Sequence, residues 1–372
     1  MYLYQLVAIL LIVLSIREIK MHKSSVSLFN FMYFLMTIMA TFRYGQLGDY
    51  FGYMYLYNFP SSMMAKDPGF GLLIVLSNAL GLDYTVFVSF LSFLCMALAY
   101  RFFSTICHYS FLALFVFYSF LFIYGAMAGF RQGLCLSLLV NVYTLLIERK
   151  YKLFYVYVLL GCFIHLSFII AFLMPFIINI KFFHRKEVWF LILFCTFIAF
   201  IGIRFSVLLP SFIVSRLYNE NGETSDAGFL QIALRFSILL PVLLYNAKEK
   251  SDAYYAKSLT IFGYCMFCLL SSDTLVAGRL EYYFRIFICV FLSYIIYKET
   301  KLNLYMMKPF LFFLLFVHIV VLYKNLDFCI DNGNYKPHIH VYNLPYVSIF
   351  NPNDIDNYST IRYDNSRLMV EP

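Results

Sequence analysis

The sequence predicts an all-α fold: a polytopic integral membrane helix bundle of about 10–12 transmembrane helices, with re-entrant or interfacial helices and periplasmic loops. Three observations carry this expectation. Of 372 residues, 62% are hydrophobic and 13% charged, roughly half the charge of a soluble domain. The 44 Phe and 33 Tyr residues present more apolar surface than a water-soluble core can hide, whereas a bilayer solvates it. Apolar runs of near-spanning length also recur between short basic clusters.

The first run, 2–16, has no basic n-region and no small-residue cleavage site, so it reads as a retained span or signal anchor. Further spans are expected at 28–42, 84–103, 109–124, 131–147, 188–209, 229–246, 254–271, 281–297 and 308–323. The stretch 153–180 is too long for one crossing at 1.5 Å per residue. It reads as a tilted helix, or as two shorter ones meeting near Gly161 to His165. A short apolar piece at 69–81, between Pro68-Gly69 and Gly81, is too brief to cross and reads as interfacial or re-entrant.

Five basic clusters set the sidedness: Arg17/Lys20/Lys23, Arg149/Lys150/Lys152, Lys181/Arg185/Lys186, Lys248/Lys250/Lys257 and Lys298/Lys301/Lys308. All five lie in the cytoplasm if 153–180 enters and leaves on that side. The N-terminus is then outside, together with loops 43–83, 125–130, 210–228 and 271–280. Residues 1–323 form a single transmembrane domain. The tail, 324–372, is polar, mildly acidic and rich in Asn, Pro and Tyr, which suits the periplasmic face.

Several function classes are excluded. There is no Walker loop, GxGxxG or HExxH motif. Cys265 and Cys268 form a CxxC inside an apolar run, which reads as packing rather than metal or redox chemistry. The net charge of +8 is spread over short loops, as membrane topology requires, and does not point to nucleic acid. No metal and no cofactor is expected.

The outer loops carry an unexpected set of charges. Arg43 and Asp49 lie in TFRYGQLGDYFGYMYLY (41–57), with Lys66 and Asp67 before Pro68. Arg131 and Gln132 follow the small-residue turn GAMAGFRQG and open a helix. The last outer loop contributes Asp273, Arg279 and Glu281, followed by Tyr282, Tyr283 and Arg285. Charges near apolar segments are costly and usually functional. The chemistry that fits is a lipid-linked pyrophosphate. Arginine matches phosphate oxygens with a planar fork, and the helix start at Arg131 adds N–H donors.

Each residue also has a plain reading. Arg43 or Arg285 can snorkel to headgroups, Asp49 can be a turn residue after Gly48, and Arg279 can pair with Glu281 or Asp273 at the surface. His165, alone in GCFIHLSF, can be a hydrogen-bonded packing residue. Tyr44, Tyr50, Tyr53, Tyr55 and Tyr57 can form an interfacial belt or, given their density, contact sugar. Asp49 and His165 are the candidate bases, since glycosyl transfer takes a proton from an acceptor hydroxyl.

The chain resembles the EpsG-like family of Wzy-type O-antigen and exopolysaccharide polymerases. The resemblance rests on FRYGQLGDYFGY (42–53), KDPGFGLLIVLSNALGLDY (66–84), GFRQGLCLSLL (129–139), FIHLSFIIAFL (163–173) and RLEYYFRIF (279–287). These cover most of residues 40–290 in the family's order. Asp67 stands where glutamate is expected, and Leu166 follows the histidine where proline or lysine is common. The resemblance implies a polymerase in the bacterial inner membrane, acting at the periplasmic face. It would transfer a growing glycan from undecaprenyl pyrophosphate to a sugar hydroxyl of another lipid-linked repeat unit. The implied sites are Arg43, Arg131, Arg279 and Arg285 on pyrophosphate, and Tyr44, Tyr50, Gln132 and Tyr283 as further substrate contacts. Asp49 or His165 would be the base. A chain-length regulator is a candidate partner. The rival readings are a lipid-linked oligosaccharide flippase or other transporter, and an O-antigen ligase.

Overall fold

The computed structural model describes residues 2–45, 50–201, 228–326, 329–330, 339–340, 346 and 348–350. Asp49, nearly all of loop 210–228 and most of the tail lie outside the described residues. Within them the protein is all-helical apart from a two-residue antiparallel pair, Cys329–Ile330 with Ile339–His340.

Helix α1 (Tyr2–Met21) returns through α2 (Val26–Thr41). Three short helices follow: α3 (Tyr50–Asn58), α4 (Pro60–Lys66) and α5 (Pro68–Ala79). Next come α6 (Tyr84–Arg101), α7 (Ser110–Phe117), a π-helical segment (Tyr118–Ala128) and α8 (Phe130–Asn141). Every residue of α7 is buried, the mark of a helix central to a bundle. Its N-terminus lacks a local cap. Glu18, at the end of α1, supplies one: its carboxylate accepts from the N–H groups of Ser110, Phe111 and Leu112 at 2.9, 3.0 and 3.3 Å. That satisfies donors an isolated helix leaves open.

The stretch 153–180 folds back on itself. After α9 (Tyr143–Ile147), α10 (Tyr151–Ile164) ends at His165, whose extended backbone breaks the helix. A 3₁₀ segment (Leu166–Leu173) and α11 (Met174–Ile177) then run back along α10. Gly161 makes the return possible, because a Cβ there would lie 2.1 Å from the Phe168 ring.

The remaining helices are α12 (Val188–Ile201), α13 (Phe229–Leu244), α14 (Asp252–Leu269), α15 (Thr274–Arg285) and α16 (Ile288–Leu326). Helix α15 meets α16 at a 43° bend. The helical trace of α16 contains Pro309, and its contacts double back. Tyr282 bonds the Leu121 carbonyl, Thr300 reaches Tyr109, and the His318 ring packs on Phe115 and Phe120. The chain therefore doubles back between Ile288–Thr300 and Pro309–Leu322, in line with a separate segment at 308–323, whereas the expected span 281–297 is broken by the bend after Arg285.

Among the described residues, one helix (Tyr84–Ile106) is long and apolar enough by itself to cross a membrane, or two if the bent pair Thr274–Arg285 and Ile288–Thr300 counts as one span. The expected spans 28–42, 188–209 and 229–246 correspond to apolar helices of 10–17 residues. The piece at 69–81 is likewise a short helix, α5.

Candidate functional site

Helices α3 to α5 build a cap over the ends of α6 and α8. Its core includes Tyr50, Tyr53 and Tyr57 together with Phe70, Phe87 and Phe130, with Tyr44 packed against it. Tyr50, Tyr53, Tyr55 and Tyr57 are buried. Inside the cap, the Tyr57 hydroxyl donates to the Leu82 carbonyl at 2.6 Å, and the Tyr53 hydroxyl accepts from Arg131. These rings pack the cap rather than line an open surface. Tyr44 is half-buried beside Tyr50, with ring centroids 5.7 Å apart.

Under the cap, one carboxylate organises the site. Asp67 sits between α4 and α5 and is buried. It forms an ion pair with Arg131 at the start of α8. The same oxygen, Oδ2, lies 3.3 Å from Nδ1 of His165, while Oδ1 accepts from the backbone N–H of Leu166 at 3.3 Å. Arg131 is fixed further by donation from Nε to the Tyr53 hydroxyl at 2.8 Å. Gly69 permits this convergence. A Cβ at 69 would come within 2.8 Å of the Phe163 carbonyl, so only glycine lets the start of α5 touch the end of α10.

Burial pushes the Asp67 carboxyl pKa up, but the His165 hydrogen bond and the Arg131 charge outweigh it and hold the value at about 2. Asp67 is thus ionised at neutral pH. An ionised partner fixes the proton of His165 on Nδ1 and leaves the Nε2 lone pair as a base.

Helix α15 divides the other predicted residues between two sides. At 100° per residue, Arg279 and Tyr283 share one face, and Glu281 and Arg285 lie roughly opposite. On the first face, Gln132 Nε2 donates to the Arg279 carbonyl at 2.6 Å, and the Tyr283 hydroxyl meets Ser167, two residues past His165, at 2.9 Å. The charge of Arg279 also acts on His165. On the second face, Glu281 is gripped by Arg285 and by Arg235 of α13, with Nε of each at 3.1 and 2.8 Å. Arg235 also lies over the Phe267 ring at 3.7 Å.

The structure therefore gathers Arg131 and His165 on Asp67, ties Gln132 to the Arg279 backbone and Tyr283 to Ser167 on the neighbouring face of α15, and places Arg285 in a separate cluster. Arg43 is enclosed, 1% exposed, with its guanidinium 4.7 Å from the Phe130 ring. Sequence reasoning placed Asp67 among the outer-loop charges and Tyr53 in an aromatic belt or against sugar, and assigned no role to Arg235. The signals were present: an acidic residue before Pro-Gly at a helix start, and a lone arginine inside the apolar run of α13. Among the described residues no His, Cys, Asp or Glu cluster suits a metal.

A bundle of apolar helices with many exposed apolar side chains and a buried Asp67–Arg131–His165 network under a cap of short helices defines the class. The chain belongs to the EpsG family, whose model matches residues 26–340. No curated protein and no solved structure matches it.

Proposed function

We propose that this protein is a multi-pass polymerase of the bacterial inner membrane. It would pass a growing glycan from a polyprenyl pyrophosphate to a sugar hydroxyl of another lipid-linked repeat unit. The observation that carries the reading is Asp67, which holds a base, His165, and a cation, Arg131, on one carboxylate in a member of the EpsG family. Nε2 of His165 takes the proton of the acceptor hydroxyl. The freed oxygen attacks the anomeric carbon, and the bond to the pyrophosphate oxygen breaks. Arg131 and Arg279, and across α15 Arg235 and Arg285, balance the charge of the departing pyrophosphate. Gln132 and Tyr283 fix α15 against the site.

The membrane reading is supported by the outward side chains of the helices, among them Phe190, Phe229 and Phe312, which are 72–76% exposed on faces that water would penalise. One feature favours a second reading, a transporter of the same lipid-linked glycan: the broken helix pair at Arg285, a device transporters use to expose backbone to substrate. The two are separated by the sugar ladder of a strain producing His165→Ala. A polymerase variant leaves single repeats at the cell surface, whereas a failed transporter leaves none there. An undiminished ladder of long chains refutes the role of His165.

A further inference from the structure

Arg43 is the largest of the fully buried side chains. Its Nη1 donates to the Ala40 carbonyl and, at 2.8 Å, to Ser92 Oγ. Among the described residues, Nε and Nη2 have no hydrogen-bond acceptor. The groups that act on its charge are hydroxyls, those of Tyr50, Tyr84, Tyr346 and Tyr4, rather than a carboxylate. A desolvated guanidinium with two bare nitrogens is a costly arrangement. It is also the arrangement that receives an oxyanion, because the unused N–H groups lie side by side on one edge of the fork.

Tail residues lie over this position. Ser348 bridges Arg43 in antiparallel fashion, and the Ile349 N–H donates to the Phe42 carbonyl at 2.9 Å. The Tyr346 hydroxyl donates to the Met39 carbonyl at 2.8 Å, and its ring meets Tyr4 edge-on at 6.3 Å. Phe350 packs on Phe42 at 5.4 Å while remaining 77% exposed. Among the described residues the contact is thin: two backbone positions, one hydroxyl and two ring pairs.

We propose that Tyr346 and residues 348–350 form a displaceable strap over an anion seat at Arg43, and that a phosphate oxyanion enters when the strap lifts. Resting on the proposed function, the ligand is the diphosphate of a lipid-linked glycan. The seat lies next to the main site, because Phe130, which faces Arg43, also packs its ring 5.3 Å from Tyr53.

The test locks the strap. Phe42 and Ile349 are opposed in the antiparallel contact, where Cα atoms lie about 4.5–5.5 Å apart, a span a disulfide bridges. Full-length Phe42→Cys/Ile349→Cys protein, in nanodiscs of zwitterionic lipid, is titrated with inorganic pyrophosphate after oxidation and again after reduction. Wild-type protein under the same treatment is the control for native thiols. The expected result is binding about tenfold weaker when oxidised and restored by reduction, with an equal loss in Arg43→Gln, one charge-assisted hydrogen bond's worth. Ile349→Pro, which removes the strap's N–H donor, should bind a few-fold more tightly.

Pyrophosphate binding unchanged by the lock, by Arg43→Gln and by Ile349→Pro overturns the proposal. So does Arg43-dependent binding of anionic phospholipid without any pyrophosphate binding, which makes the seat a headgroup site. A sugar ladder that survives both lock and Arg43→Gln removes the strap but leaves the polymerase reading standing. Lock-dependent pyrophosphate binding in a protein that makes no ladder does the reverse.

Discussion

Replacing Asp67 with Asn removes one charge and disturbs three contacts at once. The amide presents a single acceptor oxygen to Arg131, His165 and the Leu166 N–H, which now share two. Two routes give the size of the effect. The carboxyl pKa falls from 3.8 to about 2 in the folded protein, equivalent to roughly 2 kcal/mol in favour of the ionised form. Removing one partner of a buried ion pair costs about 3–5 kcal/mol, because the other charge stays behind. A stability loss of roughly 2–5 kcal/mol is therefore expected. Chain elongation should slow by about 10²–10⁴-fold, the worth of a positioned general base, since Asn can donate to Nδ1 and select the wrong tautomer. The assay is elongation by protein purified in nanodiscs, scored per folded molecule, with Asp67→Glu as the conservative control. The pH dependence follows from the same shift. A depressed carboxyl stabilises the fold above its ordinary pKa, so this contribution should fade as pH drops from about 4 towards 2, and Asp67→Asn should abolish the fading. Elongation by folded Asp67→Asn at the wild-type rate would refute the dyad.

Gly69→Ala should cost about 1–3 kcal/mol, because the added methyl meets backbone at Phe163 that cannot rotate away; a lower Tm and a shortened ladder are the readouts. Arg131→Lys keeps the charge but loses the fork that spans Tyr53 and Asp67, and elongation should fall about tenfold or more. Glu18→Ala leaves the first N–H groups of α7 without an acceptor. The protein should lose about 2 kcal/mol of stability, while elongation per folded molecule is unchanged.

The residues that were legible in the sequence are those whose signal is local. The reversal at His165 follows from a stretch too long to cross once, and the Arg131-Gln132 start of α8 follows from a small-residue turn. The role of Asp67 was hidden because its partners lie 64 and 98 positions away, and only the close approach at Gly69 brings them together. From sequence the tyrosines of α3 fit either an interfacial belt or a sugar contact, since density in a loop resembles a binding surface. Their spacing on a short helix buries them in the cap, where the Tyr57 hydroxyl donates to a backbone carbonyl and the Tyr53 hydroxyl accepts from Arg131. Arg279 and Arg285 share an outer face by the span assignment, yet they occupy different sides of α15, Arg279 toward Gln132 and Arg285 on Glu281.

Phe130 stands directly before Arg131, and its ring is the surface over which Arg43 lies and against which Tyr53 packs. A single rigid ring of this kind is a point of thermodynamic linkage. An occupant beside Arg43 that shifts the ring also shifts Tyr53, and with it the hydrogen bond that orients Arg131. Linkage of this sort is reciprocal: the factor by which one side alters affinity on the other must be returned unchanged. If both sides bind phosphate as proposed, a smaller residue at 130 should let them fill independently.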